Sequence, residues 1–163
     1  MEANATTDRR QYVLFRLGPE EYGLPIERVQ SIIRYEDPTP VPHAPAGIEG
    51  VINLRGQVIP VIDLAMRLLG TPFTPTPTAR IIVAEGDAGL IGVAVDSASE
   101  VVSIPVSEIR PAPDTALTAE TADAFEGVAS QDDRLVILLD PERALPRPGF
   151  RVSADAAEEE ADV

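Results

Sequence analysis

Few side chains in this sequence could carry out chemistry, because cysteine is absent and histidine occurs once. The lack of cysteine excludes disulfides, thiolate catalysis and sulfur-ligated metals. The single imidazole, His43, would have to serve any Ser-His-Asp or His-metal site. It lies in residues 38–45, where four prolines favour an extended connector and no nucleophile motif is near. We interpret His43 as a loop residue, the alternative being a small enzyme or ligand-binding double barrel that uses His43 and nearby carboxylates.

The acidic side chains are better explained by structure than by catalysis. Asp63 and Asp140 each end an apolar run and precede a short helical pattern, a position in which a carboxylate caps a helix. The neighbouring pair Asp132-Asp133 lacks the further spaced oxygen ligands of a metal site and is typical of a hairpin turn. Neither GxGxxG nor GxxxxGK[ST] occurs, so no phosphate loop is predicted. We therefore predict no enzyme activity, no catalytic residue, no metal site and no cofactor.

Charge and hydropathy narrow the class of protein further. The 13 cationic residues, all arginine, face 27 acidic ones, giving a formal net charge of −14 that disfavours nucleic-acid binding. No apolar run reaches the roughly 18 residues that span a bilayer, and the N-terminus lacks a signal peptide's apolar stretch. We expect a cytoplasmic protein with a flexible N-terminal tail over residues 1–10. Residues 151–163 should form a disordered acidic tail.

Short Val, Ile and Leu runs separated by glycine, proline and aspartate predict an all-β fold with a few short helices. Hairpins are expected to turn at Arg55-Gly56 and around residues 130–133. Residues 65–69, ended by Gly70, and residues 141–145 should be short helices. Residues 27–33 and 96–102 also have helical spacing of apolar positions. The three prolines of residues 71–78 favour a linker.

The two halves of the chain resemble each other. Residues 23–27, GLPIE, correspond to GVAVD at residues 92–96, and residues 58–63 correspond to residues 135–140. The second half carries about eight extra residues, which fit within residues 113–124. An internal duplication of about five strands and one small helix predicts two small β-barrels on a shared aliphatic seam. The domain should cover residues 11–150, with lobes of about 11–70 and 79–150 between which strands may cross.

A binding surface is the remaining candidate for a functional site. The apolar stripe of Val29, Ile32 and Ile33 could line a groove between the lobes, as could its repeat partners Val101 and Val102, although such residues also suit a core. Arg55 lies at a hairpin tip, where nothing structural requires a cation. A helix docked in a groove would use such an arrangement.

The chain closely resembles CheW-type chemotaxis coupling proteins at residues 50–64, which read GVINLRGQVIPVIDL. The likeness runs from about Tyr12 to Leu145 and includes EEYGLPIERVQSII, GVAVDSASEVVSI and GVASQDDRLVILLD. This resemblance implies two SH3-like five-stranded β-barrels, in agreement with the repeat. It also implies a non-enzymatic adaptor that links the cytoplasmic tips of chemoreceptors to the regulatory domain of a CheA-type histidine kinase. The adaptor would be recruited to membrane receptor arrays without inserting into the membrane.

The resemblance also implies roles for individual residues. The receptor tip, an antiparallel helical hairpin, would dock between the barrels. Val29 and Arg55 match positions that the family uses in receptor coupling, and we predict that the tip contacts them together with Ile32 and Val101 of the apolar stripe. The kinase's CheW-like domain would pair barrel to barrel with the adaptor at Asn53, Arg55 and Gly56. An acidic residue often stands in the family where this chain has Ser31. The same adaptor could serve twitching, biofilm or developmental signalling instead of flagellar chemotaxis.

Overall fold

The computed structural model describes residues 8–43, 47–86, 89–111 and 124–145, and these form a predominantly β structure. The predicted all-β class with a few short helices is confirmed. The strands are β1 (Arg9–Leu17), β2 (Glu20–Pro25), β3 (Val29–Arg34), β4 (Ile48–Leu54), β5 (Gln57–Ile62), β6 (Arg80–Gly86), β7 (Gly89–Val95), β8 (Ser97–Pro105), β9 (Phe125–Gln131) and β10 (Arg134–Leu139). The helices are α1 (Leu64–Leu69), α2 (Pro141–Ala144) and two 3₁₀ helices, η1 (Ile26–Arg28) and η2 (Val106–Glu108).

The strands form two five-stranded sheets, each made from both halves of the sequence. The first has the order β8-β1-β2-β10-β9 and the second β3-β6-β7-β5-β4. Neighbouring strands are antiparallel, apart from the parallel pairs β2–β10 and β5–β7 that join the two halves. Residues 11–70 and 79–150 therefore do not each form one sheet. The duplicated halves exchange strands.

Each sheet closes into a barrel through the chain that follows one of its edge strands. Thr39, beyond β3, bridges Val51 of β4 with two backbone hydrogen bonds of 2.8 Å. Arg110, beyond β8, bridges Val128 of β9 in the same way, at 2.9 and 2.7 Å. We call the barrel that contains β1 the first barrel and the one that contains β3 the second barrel.

Both halves of the sequence carry a Gly-Val pair, at residues 50–51 and at residues 127–128, and barrel closure explains this repeat. A Cβ on Gly127 would lie 2.6 Å from the carbonyl oxygen of Arg110, and a Cβ on Gly50 would clash with the carbonyl oxygen of Thr39. Only glycine lets the closing segment approach the strand this closely. The repeated glycines are therefore requirements of the barrel closures.

Two hydrophobic clusters fill the molecule. One lies inside the first barrel and includes Tyr12 and Leu14 of β1. The other joins the second barrel to the opposite face of β1, where Val13 and Phe15 are 2% exposed and fully buried. Because alternate residues of a strand point to opposite faces, β1 contributes to both clusters. The cluster that joins the second barrel to β1 therefore contains the predicted seam between the barrels.

The helical predictions for residues 27–33 and 96–102 are wrong. Only η1 is helical within the first segment, which continues as β3, and the second lies largely in β8. A β-bulge interrupts the register of β3 between Val29 and Ser31, and an equivalent one puts residue 99 out of register in β8. An extra residue in a strand lets positions three apart share a face, as they do in a helix. The bulges therefore produced a false helical pattern.

The predicted helix caps are confirmed. The Oδ1 atom of Asp63 accepts a hydrogen bond from the Met66 amide at 3.0 Å, and α1 ends at Gly70 with φ 78°. The Oδ1 atom of Asp140 accepts from the Glu142 amide at 3.0 Å. Asp63 also accepts from the amide of Phe73, and so fixes the start of the linker.

The predicted linker, residues 71–78, contains neither helix nor strand and is pinned by Thr78, whose hydroxyl donates to the Asp96 carbonyl at 2.8 Å. Strand β1 begins at Arg9, so the last two residues of the predicted N-terminal tail belong to a strand. Residues 1–7 of that tail, most of the 113–124 insertion and the acidic tail lie outside the described residues. Within the described part, no helix is long and apolar enough to cross a membrane.

Candidate partner-binding surface

His43 lies in an exposed turn with φ 61°, at the end of a described segment. Among the residues that the structure describes, no group of three or more His, Asp and Glu side chains is arranged to hold a metal ion. A cleft of about 440 Å³ lies elsewhere, between the start of β1, η1 and α2. Salt bridges join arginines to acids across it, among them Arg10 to Glu126 at 2.9 Å. The described part of the connector that carries His43, residues 38–43, does not line this cleft.

Arg55 and Gly56 form a two-residue turn between β4 and β5. Leu54 pairs with Gln57, and the turn residues have φ 54° and 83°. Two successive positive φ angles are those of a type I′ turn, whose twist matches that of the flanking strands. The tip is exposed, so Arg55 is accessible to a partner.

Asn53 braces this turn. Its Oδ1 accepts a hydrogen bond from the Gly56 amide at 2.9 Å. The structure thus brings together the three residues predicted to bind the kinase, Asn53, Arg55 and Gly56, in one hairpin tip. Asn53 and Arg55 differ in their contacts there, since the side-chain oxygen of Asn53 already accepts a hydrogen bond from the backbone of the turn.

The repeat-related tip between β9 and β10 has the same signs of φ at both turn residues and carries the opposite charge. Asp132 and Asp133 have φ 51° and 65°, and Gln131 pairs with Arg134. The predicted hairpin turn is confirmed. One barrel therefore ends in an arginine and the other in two carboxylates.

Val29 and Ile32 lie on β3, an edge strand of the second sheet. Val29 pairs with Ala84 and Ile32 with Ile82. Because these partners are two residues apart on β6, Val29 and Ile32 share a face of the sheet. Ile32 is 41% exposed, whereas Val29 is half-buried and packs against the core.

Val101 lies on β8, the corresponding edge strand of the first sheet, and is 49% exposed. It pairs with Val13, which faces the seam between the barrels. Its repeat partner is Ile32, so each barrel presents one exposed aliphatic residue at the same structural position. The other members of the predicted stripe belong to the core, which was the alternative interpretation. Ile33 packs against the core and Val102 is 8% exposed.

The predicted receptor contacts are therefore distributed over both barrels. Val29 and Ile32 lie on one edge strand of the second sheet, and Arg55 follows the other edge strand, β4. Val101 belongs to the first barrel. The fold places these residues on edge strands of both barrels and on the hairpin tip that follows β4.

Leu135 is an exposed apolar residue that the sequence analysis missed. It is 60% exposed on β10 and borders a cleft of about 310 Å³ with Val128, Arg110 and Glu108. Its sequence signal was available, because it alternates with the buried residue Val136 and must point outward. The continuous apolar run of residues 135–139 concealed that alternation.

Glu49 is a second residue that the sequence analysis missed. Burial, and then the charges of Asp63 and Asp37, raise the pKa of Glu49 to about 7. Its Oε2 is buried and has no hydrogen-bond partner among the described residues. Burial and the charges of Glu49 and Asp37 also raise the pKa of Tyr35 to about 12.

Among the described residues, the repeat partner of Glu49 contacts a cation, whereas Glu49 contacts none. Glu126 accepts hydrogen bonds from Arg10 at 2.9 Å and from the Tyr12 hydroxyl at 2.7 Å. Both carboxylates lie at β-bulges near the start of an edge strand, Glu49 in β4 and Glu126 in β9. A repeat partner was visible in the sequence, but whether each carboxylate was paired was not.

Comparison with known proteins shows similarity along almost the whole described fold. Residues 11–148 match the family model for the CheW-like domain. The chain is 35% identical over 136 residues to chemotaxis protein CheW of Klebsiella aerogenes, covering 83% of this chain and 81% of the relative. Chemotaxis protein CheW of Rhizobium meliloti is 36% identical over 141 residues, covering 86% of this chain and 90% of the relative. Protein FrzA of Myxococcus xanthus is 34% identical over 104 residues, covering 64% and 65%.

Comparison with solved structures also finds similarity to a CheW protein. The scaffolding protein TtCheW from Thermoanaerobacter tengcongensis superposes with a TM-score of 0.76 at 33% sequence identity. The match covers 89% of this chain and 93% of that chain. Sequence and fold therefore agree over both barrels.

Proposed function

This chain belongs to the CheW-like domain family, and on that premise we propose that it couples methyl-accepting chemoreceptors to a CheA-type histidine kinase. The observation that carries the proposal is the similarity to CheW proteins over both barrels, including a structure described as a scaffolding protein. An adaptor of this kind makes and breaks no covalent bonds. It aligns two partners and raises their effective concentration.

The two partners would use different parts of the framework. The Arg55 tip, with Asn53 and Gly56, would meet the kinase regulatory domain, and Arg55 would also reach the receptor. A guanidinium presented on a rigid turn favours an acidic partner surface, through paired, charge-assisted hydrogen bonds.

The receptor tip would contact Val29, Ile32 and Val101 together with Arg55. The exposure of Ile32 and Val101 on corresponding edge strands supports this assignment. Such a surface has an apolar centre and a charged rim, as partner interfaces commonly do. At position 31 a serine hydroxyl stands where the family often has a carboxylate, so an ion pair made there by relatives would be absent in this protein. Membrane arrays would recruit the adaptor through the receptor.

Co-sedimentation tests the coupling role directly. Receptor-bearing membranes are mixed with the cognate kinase, with and without this protein, and the pelleted kinase is measured. We expect the kinase to pellet with the membranes only when the adaptor is present. Equal kinase binding in its absence would contradict the proposal. Arg55→Ala should reduce recruitment, whereas Arg16→Ala, at an exposed arginine of the first barrel, serves as the matched control.

A second candidate keeps the adaptor role and changes the pathway. Similarity to protein FrzA, a relative that is not named CheW, favours considering chemosensory-like pathways outside flagellar chemotaxis, including twitching, biofilm and development. Deletion of this gene separates the candidates. Loss of swimming chemotaxis alone supports the first, and loss of surface motility or development with normal swimming supports the second.

A further inference from the structure

The β4–β5 turn holds an arginine in a conformation that arginine disfavours. Arg55 has φ 54°, in the left-handed region where the Cβ of an ordinary residue crowds its own backbone. Gly56, at φ 83°, adopts such angles readily. An interaction that closes the turn therefore helps to hold Arg55 in this conformation.

Asn53 makes that interaction. Its Oδ1 accepts the Gly56 amide at 2.9 Å, a bond that spans Leu54 and Arg55 and closes the turn around the arginine. The acceptor side of the Asn53 amide is therefore directed into its own hairpin. This arrangement differs from that of a side chain whose polar atoms all face a partner.

The repeat-related tip provides an internal comparison. Ser130 stands at the position of Asn53, and Asp132 at that of Arg55. Asp132 has φ 51°, nearly the angle of Arg55. Aspartate tolerates the left-handed region better than arginine does, so the second tip has less need of a bracing side chain. Asn53 therefore occurs in the turn whose first residue, Arg55, disfavours the left-handed conformation.

We propose that Asn53 is a positioning residue, which fixes the turn so that the guanidinium of Arg55 is presented to acidic groups of the kinase regulatory domain. This inference rests on the proposed function, in which Arg55 contacts the kinase. Without the Asn53 bond the turn samples other conformations, and ordering it again on binding reduces affinity.

A double-mutant cycle tests the inference with the full-length protein and the regulatory domain of the kinase. Binding is measured by calorimetry for the wild type, N53A, R55A and the double variant. The loss of one hydrogen bond predicts that N53A weakens binding about three- to tenfold. The double variant should bind no more weakly than R55A, because no guanidinium remains to be positioned. Additive losses would mean that Asn53 contacts the partner itself, and would overturn the inference.

Rescue by a conservative variant separates positioning from a general structural role. N53D keeps the acceptor oxygen and adds a negative charge. Q57D adds the same charge on the opposite side of the tip, at an exposed residue that pairs with Leu54, and so calibrates the effect of charge. N53D should bind at least as tightly as Q57D and should slow hydrogen exchange of the Gly56 amide relative to N53A. An N53D variant that loses as much affinity as N53A beyond the Q57D effect would refute positioning by the acceptor.

The outcomes distinguish failure of this inference from failure of the proposed function. If R55A binds the kinase domain and the receptor as tightly as the wild type, the proposed role of Arg55 is wrong and nothing remains to be positioned. If R55A weakens binding while N53A does not, only the positioning role is wrong. Melting temperatures recorded for every variant show whether an affinity loss follows general destabilisation.

Discussion

At the scale of single residues, Arg55 is the side chain on which the proposed contacts converge. It is exposed at a turn of defined geometry, and no described hydrogen bond or ion pair engages its guanidinium. The corresponding turn of the other barrel carries Asp132 and Asp133. A partner with acidic groups would therefore discriminate between two tips that have the same backbone.

Reversal of the charge at this tip should weaken binding and leave the fold intact. Arg55→Glu replaces an attraction to acidic groups by a repulsion, and we expect a loss of at least about tenfold in affinity for the kinase domain or the receptor tip. Calorimetry with each partner measures the loss, and circular dichroism checks the fold. Asp132→Arg reverses the charge at the other tip as a matched control. Unchanged affinity of Arg55→Glu for both partners would contradict the prediction.

Glu49 makes stability depend on pH. Its pKa is about 7 in the folded protein because of burial, Asp63 and Asp37, against 4.5 for an ordinary glutamate. A raised pKa means that the folded state keeps its proton while the unfolded state loses it. The free energy of unfolding therefore falls as pH rises from about 4.5 to about 7 and stays lower above that range. Solvent screening at this half-buried site reduces the penalty to on the order of 1 kcal/mol.

Removal of this charge should stabilise the protein only at higher pH. Glu49→Gln should raise the free energy of unfolding by roughly 1 kcal/mol at pH 8 and change it little at pH 4.5, as measured by urea denaturation. Glu126→Gln is the matched control, because its carboxylate is bound by Arg10 and Tyr12 and its loss should destabilise the fold. A pH-independent effect of Glu49→Gln would show that packing and not charge is responsible.

At the scale of the elements, the sequence predicted most strands and misplaced two helices. The hairpins around Arg55-Gly56 and Asp132-Asp133 follow from strong local turn signals. The strands β3 and β8 do not, since a bulge inserts one residue and gives their apolar positions a helical spacing. Bulges arise from pairing with a neighbouring strand, which a single segment of sequence does not reveal.

The barrel closures depend on two glycines, and a methyl group at either should be costly. In Gly127→Ala the new Cβ would lie 2.6 Å from the Arg110 carbonyl oxygen, so the closing segment has to move. We expect a loss of about 2 kcal/mol or more in stability, measured by denaturant unfolding. Gly86→Ala is the control, where the nearest atom lies at 3.3 Å and about 1 kcal/mol or less is expected. Equal costs would contradict the role assigned to closure.

At the scale of the whole molecule, the exchange of strands makes the two barrels one cooperative unit. Each contains strands from both halves of the chain, and one hydrophobic cluster spans the second barrel and the seam. Neither half can complete a barrel alone. A rigid pair of barrels suits an adaptor that holds two partners in a fixed relation.

Unfolding should consequently occur in a single transition. The calorimetric and van't Hoff enthalpies should agree, and Gly127→Ala in the first barrel and Gly50→Ala in the second should shift the same transition downward. Two separate transitions, each moved by only one of these variants, would show that the barrels unfold independently.

The sequence by itself determined the all-β class, the duplication, the hairpin tips and the helix caps at Asp63 and Asp140. These features depend on residues close together in the chain: turn residues, capping carboxylates and short apolar runs. Through a family resemblance it also predicted partner contacts at Asn53, Arg55 and Gly56, and these stay a prediction. Only the tertiary structure decided which strands share a barrel and why Gly50 and Gly127 must be glycine. It also decided that, among the described residues, Glu126 pairs with a cation and Glu49 does not. Those outcomes depend on segments far apart in sequence, whose pairing is fixed by the packing of the whole fold.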